Sequence, residues 1–320
     1  MFSAEYLNAL SAKTGFQASS LQKQMSLIIL LREIRKHPLL SKAYVLRGGT
    51  AINLFWFELP RLSVDIDLNY IASPSIEVMQ HERPVLEKEL KKLIEAQAIT
   101  VEHSAAEHAG GKWRLRAKSA FGGNFTVELD LNYLMRIPIW GVHLKQTYSL
   151  DPDYTIDFPS VSFEELFAGK IKALLDRSAT RDLYDVYSLS HQLTKFDKNK
   201  LRKALILIGV TSDHDWRKIG FRTVEPIDQK MIDQELRPLL RSNDELNLEI
   251  MKEKVESFLS DLMKYNEAEQ RFLNRFVDEG IYEPELLFDD SKQAERLKSH
   301  PAVLWKLQHH RKFYGLNKDQ

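Results

Sequence analysis

The chain has 320 residues, enough to bury a substantial core in one to three domains. Lysine plus arginine and aspartate plus glutamate number 45 each, so no overall field draws the protein to nucleic acid, and an RNA substrate would have to meet a local basic patch. The lack of cysteine excludes disulfides, thiolate metal sites and a catalytic thiol. The best apolar run, residues 25–31, is too short for a bilayer, and the first residues are charged and amphipathic rather than leader-like. A cytoplasmic protein without a membrane partner is expected.

Taken in order, residues 3–13 and 19–36 read as helices, each opened by a serine able to cap it. The second has an apolar face through Leu21, Met25, Ile28, Ile29 and Leu31, suited to packing behind a sheet. Residues 44–46 form a short apolar strand that runs into Gly48-Gly49. Thr50 opens a short helix, apolar through Ile52, Leu54, Phe55 and Trp56, and Pro60 is expected to stop it. A second strand follows, in which Val64, Ile66 and Leu68 alternate with Asp65, Asp67 and Asn69.

This stretch carries the chemistry. Residues two apart on a strand share a face, so Asp65 and Asp67 stand together. Neighbouring carboxylates repel unless a cation is close, and Mg²⁺ binds through one or two protein carboxylates plus substrate phosphates. Gly48 and Gly49 let the backbone approach a ligand closely. They lead into a helix N-terminus, which favours phosphate, and Thr50 adds a hydroxyl. A phosphate cradle followed by paired carboxylates describes a site for a nucleoside triphosphate with its metal, Mg²⁺ or Mn²⁺.

Farther on, residues 75–97 read as a helix with Pro84 as a kink or break, and 99–103, 112–119 and 125–133 as strands. Gly122-Gly123-Asn124 turns the last two into a hairpin. The last strand repeats the earlier alternation, with Glu128, Asp130 and Asn132 on one face. Asp130, with Glu128 as the alternative, would be a third carboxylate that binds metal or activates the attacking hydroxyl; an ordinary exposed strand face fits the same pattern. Residues 138–159 contain four prolines or glycines and read as an irregular connection, dividing a catalytic domain (1–150) from a helical one (151–320). Beyond it, Ser162 and Glu165 form a capping-box pattern ahead of a helix, a second helix covers 181–193, and others are expected at 198–208, 231–240, 244–264, 266–279 and 291–313. The fold class is α+β.

The ordered set Gly48-Gly49-Thr50-Ala51, then Arg61-Leu62-Ser63-Val64-Asp65-Ile66-Asp67-Leu68, resembles the signature of the DNA polymerase beta-type nucleotidyltransferases. Within that superfamily it is most similar to the AbiEii/AbiGii-type (MenT-like) toxin nucleotidyltransferases. A second block, Ala168-Gly169-Lys170-Ile171-Lys172-Ala173-Leu174 followed by Arg177 and Arg181-Asp182-Leu183-Tyr184-Asp185, resembles their second signature. The resemblance implies a mixed sheet with flanking helices and a mostly helical C-terminal domain. It assigns nucleotide phosphates to the Gly48 turn and Ser63, the triphosphate lysine to Lys170 and the following aspartate to Asp185, with Lys172 and Asp182 as runners-up. Arg177 and Arg181 would clamp phosphate oxygens, although Arg181 and Asp185, four apart, also fit a helix-surface ion pair. Gly169 departs from the family, where an acidic residue is common, and suggests close approach of the sheet or of nucleotide.

The resemblance further implies a toxin with a separately encoded antitoxin and, as acceptor, the 3′ end of tRNA. Two rival readings remain open on sequence grounds: nucleotidylation of a protein hydroxyl, and a nucleotide- or partner-binding module without turnover. Basic clusters at Lys195, Lys198, Lys200, Arg202 and Lys203, and across residues 306–312 beside Phe313 and Tyr314, fit either RNA contacts or solvated helix faces.

Overall fold

A computed structural model describes residues 2–103, 110–192 and 196–313, with the side chains of 103 and 310–313 excepted. The chain divides into two compact units, one formed by Met1–Ser162 with Gln229–Leu246 and the other by Phe163–Asp228 with Asn247–Gln320.

The first unit is built on a seven-stranded mixed sheet. Its strands are β1 (Tyr44–Arg47), β2 (Ile66–Tyr70), β3 (Thr100–His103), β4 (Gly110–Lys118), β5 (Asn124–Asn132), β6 (Val142–Gln146) and β7 (Asp157–Val161), in the order β3-β4-β5-β2-β1-β7-β6. Strand β2 is central, antiparallel to β1 and parallel to β5. The β4–β5 hairpin closes as expected through Gly122 and Gly123, both with φ above zero (92° and 68°). Alternate residues Ile66, Leu68, Leu129 and Leu131 are fully buried, and this lets the opposite face carry charge.

Helices α1 (Ala4–Thr14), α2 (Ala18–Lys36), α3 (Leu40–Ala43), α4 (Gly48–Phe55) and α5 (Ile76–Ala96) complete the unit. Ser3 caps α1 by accepting the Tyr6 N–H, but α2 already starts at Ala18, so the expected cap Ser19 lies inside it and its N-cap Gln17 makes no side-chain bond. Helix α5 runs through Pro84, anchored on both sides of it by the buried stripe Met79, Leu86, Leu90 and Ile94. Helix α4 ends at Phe55, ahead of Pro60; the chain has already turned at Glu58 and Leu59, both left-handed (φ 50° and 58°).

Residues 138–159 are not the irregular connection the sequence suggests, since β6 and most of β7 lie there. The exposed residues of β6 give no apolar alternation, and Pro159 inside β7 reads as a breaker. Residues 231–240, expected as one helix, are helical as far as Leu239 but change pitch along the way, in three short segments, Gln229–Met231, Ile232–Leu236 and Arg237–Leu239.

The second unit is helical within the described residues. Helix α6 (Phe163–Arg177) packs on α7 (Thr180–Ser190) and α8 (Lys198–Gly209), and α7 packs on the helix Leu248–Leu262. Leu166, Phe167, Ile171, Leu174, Leu183, Val186 and Leu205 form its core. The stretch 291–313 is two helices, Ser291–Lys298 and Pro301–Phe313, the second opened by its proline. Among the described residues no helix is long and apolar enough to cross a membrane.

Candidate active site

Register across the sheet brings together residues far apart in sequence. Arg47 on β1 stands opposite Asp67 on β2, Asp67 opposite Asp130 on β5, and Asp130 opposite Lys112 on β4. Paired residues face the same side of a sheet, so a row of cation, carboxylate, carboxylate and cation crosses four strands. The Asp67 and Asp130 side chains are 26% and 32% exposed, open enough to receive a ligand. Arg47 Nη2 lies 3.5 Å from Asp130 Oδ1 and 3.9 Å from Asp67 Oδ1. Sequence reasoning missed Arg47; an arginine ending the strand immediately before the glycine pair was the available signal.

Gly48 fits this arrangement for two reasons. Its φ is +72°, and a Cβ placed on it would lie 1.9 Å from Asp67 Oδ2. The turn therefore packs directly on the second aspartate of the pair, and any side chain there would push that carboxylate away. Asn53 supports the turn from one helical turn on, its side-chain N–H donating to the Gly49 carbonyl at 2.8 Å.

Thr50 and Ser63 are buried. The Thr50 hydroxyl shares its proton between the Ser63 hydroxyl, at 2.9 Å, and the Asp65 carbonyl. Ser63 also donates its backbone N–H to Gln24 Oε1 on α2, at 2.8 Å. Together with the buried Arg61, which donates to the Leu62 carbonyl, these bonds fix the segment that delivers Asp65 and Asp67. Gln24 was likewise missed; a glutamine on an otherwise apolar helix face was its only trace. Asp65 lies just before β2, and its Oδ1 accepts the Glu128 N–H at 3.4 Å. Glu128 lies farther out, 51% exposed and 3.7 Å from Lys112.

The residues fit a divalent cation by their donors: two adjacent carboxylates on one face, with a guanidinium already lying against both. Asp67 and Asp130 would hold the ion, with Asp65 beside them. Among the described residues no three acidic or histidine side chains are already gathered tightly enough to cage one, so the expected convergence of all three carboxylates on a single point is not preformed.

In the second unit, Lys170 on α6 is buried and donates to Asp182 on α7 at 2.7 Å; Asp185 lies 3.2 Å away. Asp182 also accepts from Arg177 at 2.9 Å, so the runner-up aspartate is the hub of this cluster. Burial alone would raise the Asp182 carboxyl, but the Lys170 and Arg177 cations outweigh it and hold the value down at about 2. Asp185 is 1% exposed, so it is a buried group and not one on a helix surface. A Cβ on Gly169 would meet nothing within 4 Å, so no close approach within the fold requires glycine there.

The basic clusters are largely answered by acids. Lys198 pairs with Asp261, Arg202 with Glu269 at 2.9 Å and Lys203 with Asp289 at 2.7 Å. Lys306 is buried and pairs with Asp213 at 2.8 Å. Lys195, Tyr314 and the side chains of Arg311, Lys312 and Phe313 lie outside the described residues.

A glycine turn seated on a strand aspartate, with a second carboxylate on the adjoining parallel strand, is the core of a nucleotidyltransferase fold. That fold is shared with MenT4, a nucleotidyltransferase toxin from Mycobacterium tuberculosis H37Rv, at a TM-score of 0.62 and 16% identity, covering 95% of this chain and 99% of that one. A search of curated protein sequences gives no match. Residues 29–278 match the family described as nucleotidyl transferase AbiEii toxin, type IV toxin–antitoxin system. The chain belongs to this family and is a nucleotidyltransferase toxin.

Proposed function

We propose that the protein transfers a nucleotide from a nucleoside triphosphate to the 3′ end of a tRNA, with a divalent cation held at Asp67 and Asp130 and with Asp65 beside them. The observation that carries this reading is the side-by-side placement of Asp67 and Asp130, with Asp67 packed against the Gly48 turn. When bound, Mg²⁺ or Mn²⁺ supplies charge neutralisation at the reacting phosphate and lowers the cost of ionising the attacking hydroxyl.

The protein's own groups do the rest. The Gly48-Gly49 turn lets phosphate oxygens approach the backbone at the start of α4. Asp130, beside Asp67 and one-third exposed, accepts the proton of the acceptor hydroxyl. Thr50 and Ser63 hold the carboxylate-bearing segment rigid through their mutual hydrogen bond. Lys170 and Arg177 are assigned, by the family resemblance, to the charge that develops on the pyrophosphate leaving group. Asp182 orients both cations, and Asp185 assists at Lys170. Arg181 is assigned to the phosphates on the same ground. The type IV family implies an antitoxin as partner, and we assign the toxin to the cytoplasm, where nucleotides and tRNA are found.

The test is incubation of the purified protein with each of four α-labelled nucleoside triphosphates, Mg²⁺ or Mn²⁺, and either deacylated tRNA or total cell protein. Label at the tRNA 3′ end with release of pyrophosphate is expected. Label in protein would overturn the acceptor assignment, and label in neither would overturn the proposal.

A further inference from the structure

We propose that Arg47 is a tethered counter-ion of the Asp67–Asp130 pair, one that a divalent cation must displace, so that the ion is taken up with nucleotide rather than before it. This deepens the reading above and rests on it. Arg47 ends β1, next to Gly48, and its register partner is Asp67. Its guanidinium lies 3.5 and 3.9 Å from the two carboxylates, beyond the roughly 2.7–2.9 Å of a closed charge-assisted hydrogen bond. Its Nε is buried without a hydrogen-bond partner among the described residues. Other arginines of the molecule are clamped: Arg177 reaches Asp182 at 2.9 Å, Arg202 reaches Glu269 at 2.9 Å and Arg217 reaches Asp278 at 2.7 Å. Arg47 is therefore held by charge and not by fitted hydrogen bonds, which makes it exchangeable.

Its charge then works in two directions. While it faces the carboxylates it cancels one of their two negative charges and repels an incoming divalent cation. A planar guanidinium is also well matched to phosphate oxygens. Triphosphate arriving at the neighbouring glycine turn draws Arg47 off the carboxylates and leaves them open. Binding of ion and of nucleotide is thereby coupled, and the coupling is reciprocal.

The experiment measures Mn²⁺ affinity by the electron paramagnetic resonance of free Mn²⁺, with and without a non-hydrolysable triphosphate analogue. It uses the full chain and its Arg47→Met, Arg47→Lys, Arg47→Gln and Asp67→Asn variants. Without nucleotide, Arg47→Met is expected to bind Mn²⁺ on the order of tenfold tighter than wild type. The gain that nucleotide gives to Mn²⁺ binding should shrink in this variant, while Arg47→Lys stays near wild type and Asp67→Asn loses the site. Arg47→Gln repeats the test should the methionine variant not fold. A folding defect would weaken Mn²⁺ binding, so tightening cannot come from damage. Unchanged or weaker binding in the methionine and glutamine variants, with wild type binding Mn²⁺ in the presence of nucleotide, would overturn the role of Arg47 and leave the metal reading intact. No Mn²⁺ binding by any variant, with or without nucleotide, would overturn both.

Discussion

The two units each contain a cluster of two aspartates with basic partners, and the clusters are built in opposite ways. Asp67 and Asp130 are one-quarter to one-third exposed and meet Arg47 only at 3.5 to 3.9 Å. Asp182 and Asp185 are 1% exposed and meet Lys170 at 2.7 and 3.2 Å. The more exposed pair, which meets Arg47 at more than closed hydrogen-bond distance, is placed to take up a ligand. The buried pair is already bonded to its own cations, and removing one member strands a charge in low dielectric. Residue type was the same in both places; burial and distance separate a binding group from a fastening one.

The sharpest way to break this contrast is to remove the central cation of the buried cluster. Lys170→Met is expected to cost about 3–5 kcal/mol of unfolding free energy, read by urea denaturation, because Asp182 and Asp185 stay buried without it. A cost below about 1 kcal/mol would mean that the cluster behaves like a surface pair. Gly48→Ala should come next, at about 1–3 kcal/mol from its positive φ alone. It should also displace the Asp67 carboxylate, lowering nucleotide transfer far more than its melting temperature suggests.

Acid titration separates the clusters again. The folded Asp182 carboxyl titrates at about 2 and an ordinary aspartate at 3.8, so the folded state binds fewer protons in between. The contribution of Asp182 is complete above its unfolded value and is lost as pH falls from 3.8 toward 2. Asp182→Asn should start less stable and show a flatter loss across that window in denaturant melts. The smallest expected effect is Gly169→Ala. With open space at that position, alanine should stabilise α6 by roughly 0.5–1 kcal/mol, detected as a higher melting temperature with transfer activity retained. A loss of activity would show that glycine serves a ligand there.

Much of the first unit could be read from its sequence because its strands are half-buried. The alternation of Ile66 and Leu68 with Asp65 and Asp67, and its echo at Leu129, Asp130 and Leu131, marks both the sheet and the acidic face. What alternation cannot supply is lateral register, and register is what puts Arg47 into the acidic row. Strand β6 escaped because its exposed residues carry no burial pattern, and β7 because of Pro159. In the second unit the motif around Lys170 was visible, but the choice between Asp182 and Asp185 depended on how α6 faces α7. The basic clusters near residue 200 fitted either an RNA surface or a solvated helix face in sequence, and only the folded chain brings Asp261, Glu269 and Asp289, from distant segments, opposite them.

The Asp67–Asp130 pair carries the proposed transfer. The decisive measurement is the rate of labelled nucleotide transfer by Asp67→Asn and Asp130→Asn, each beside wild type and with its melting temperature recorded. A fall of at least about 10²-fold in each, with melting close to wild type, is the predicted result. Transfer at the wild-type rate by either variant would contradict it.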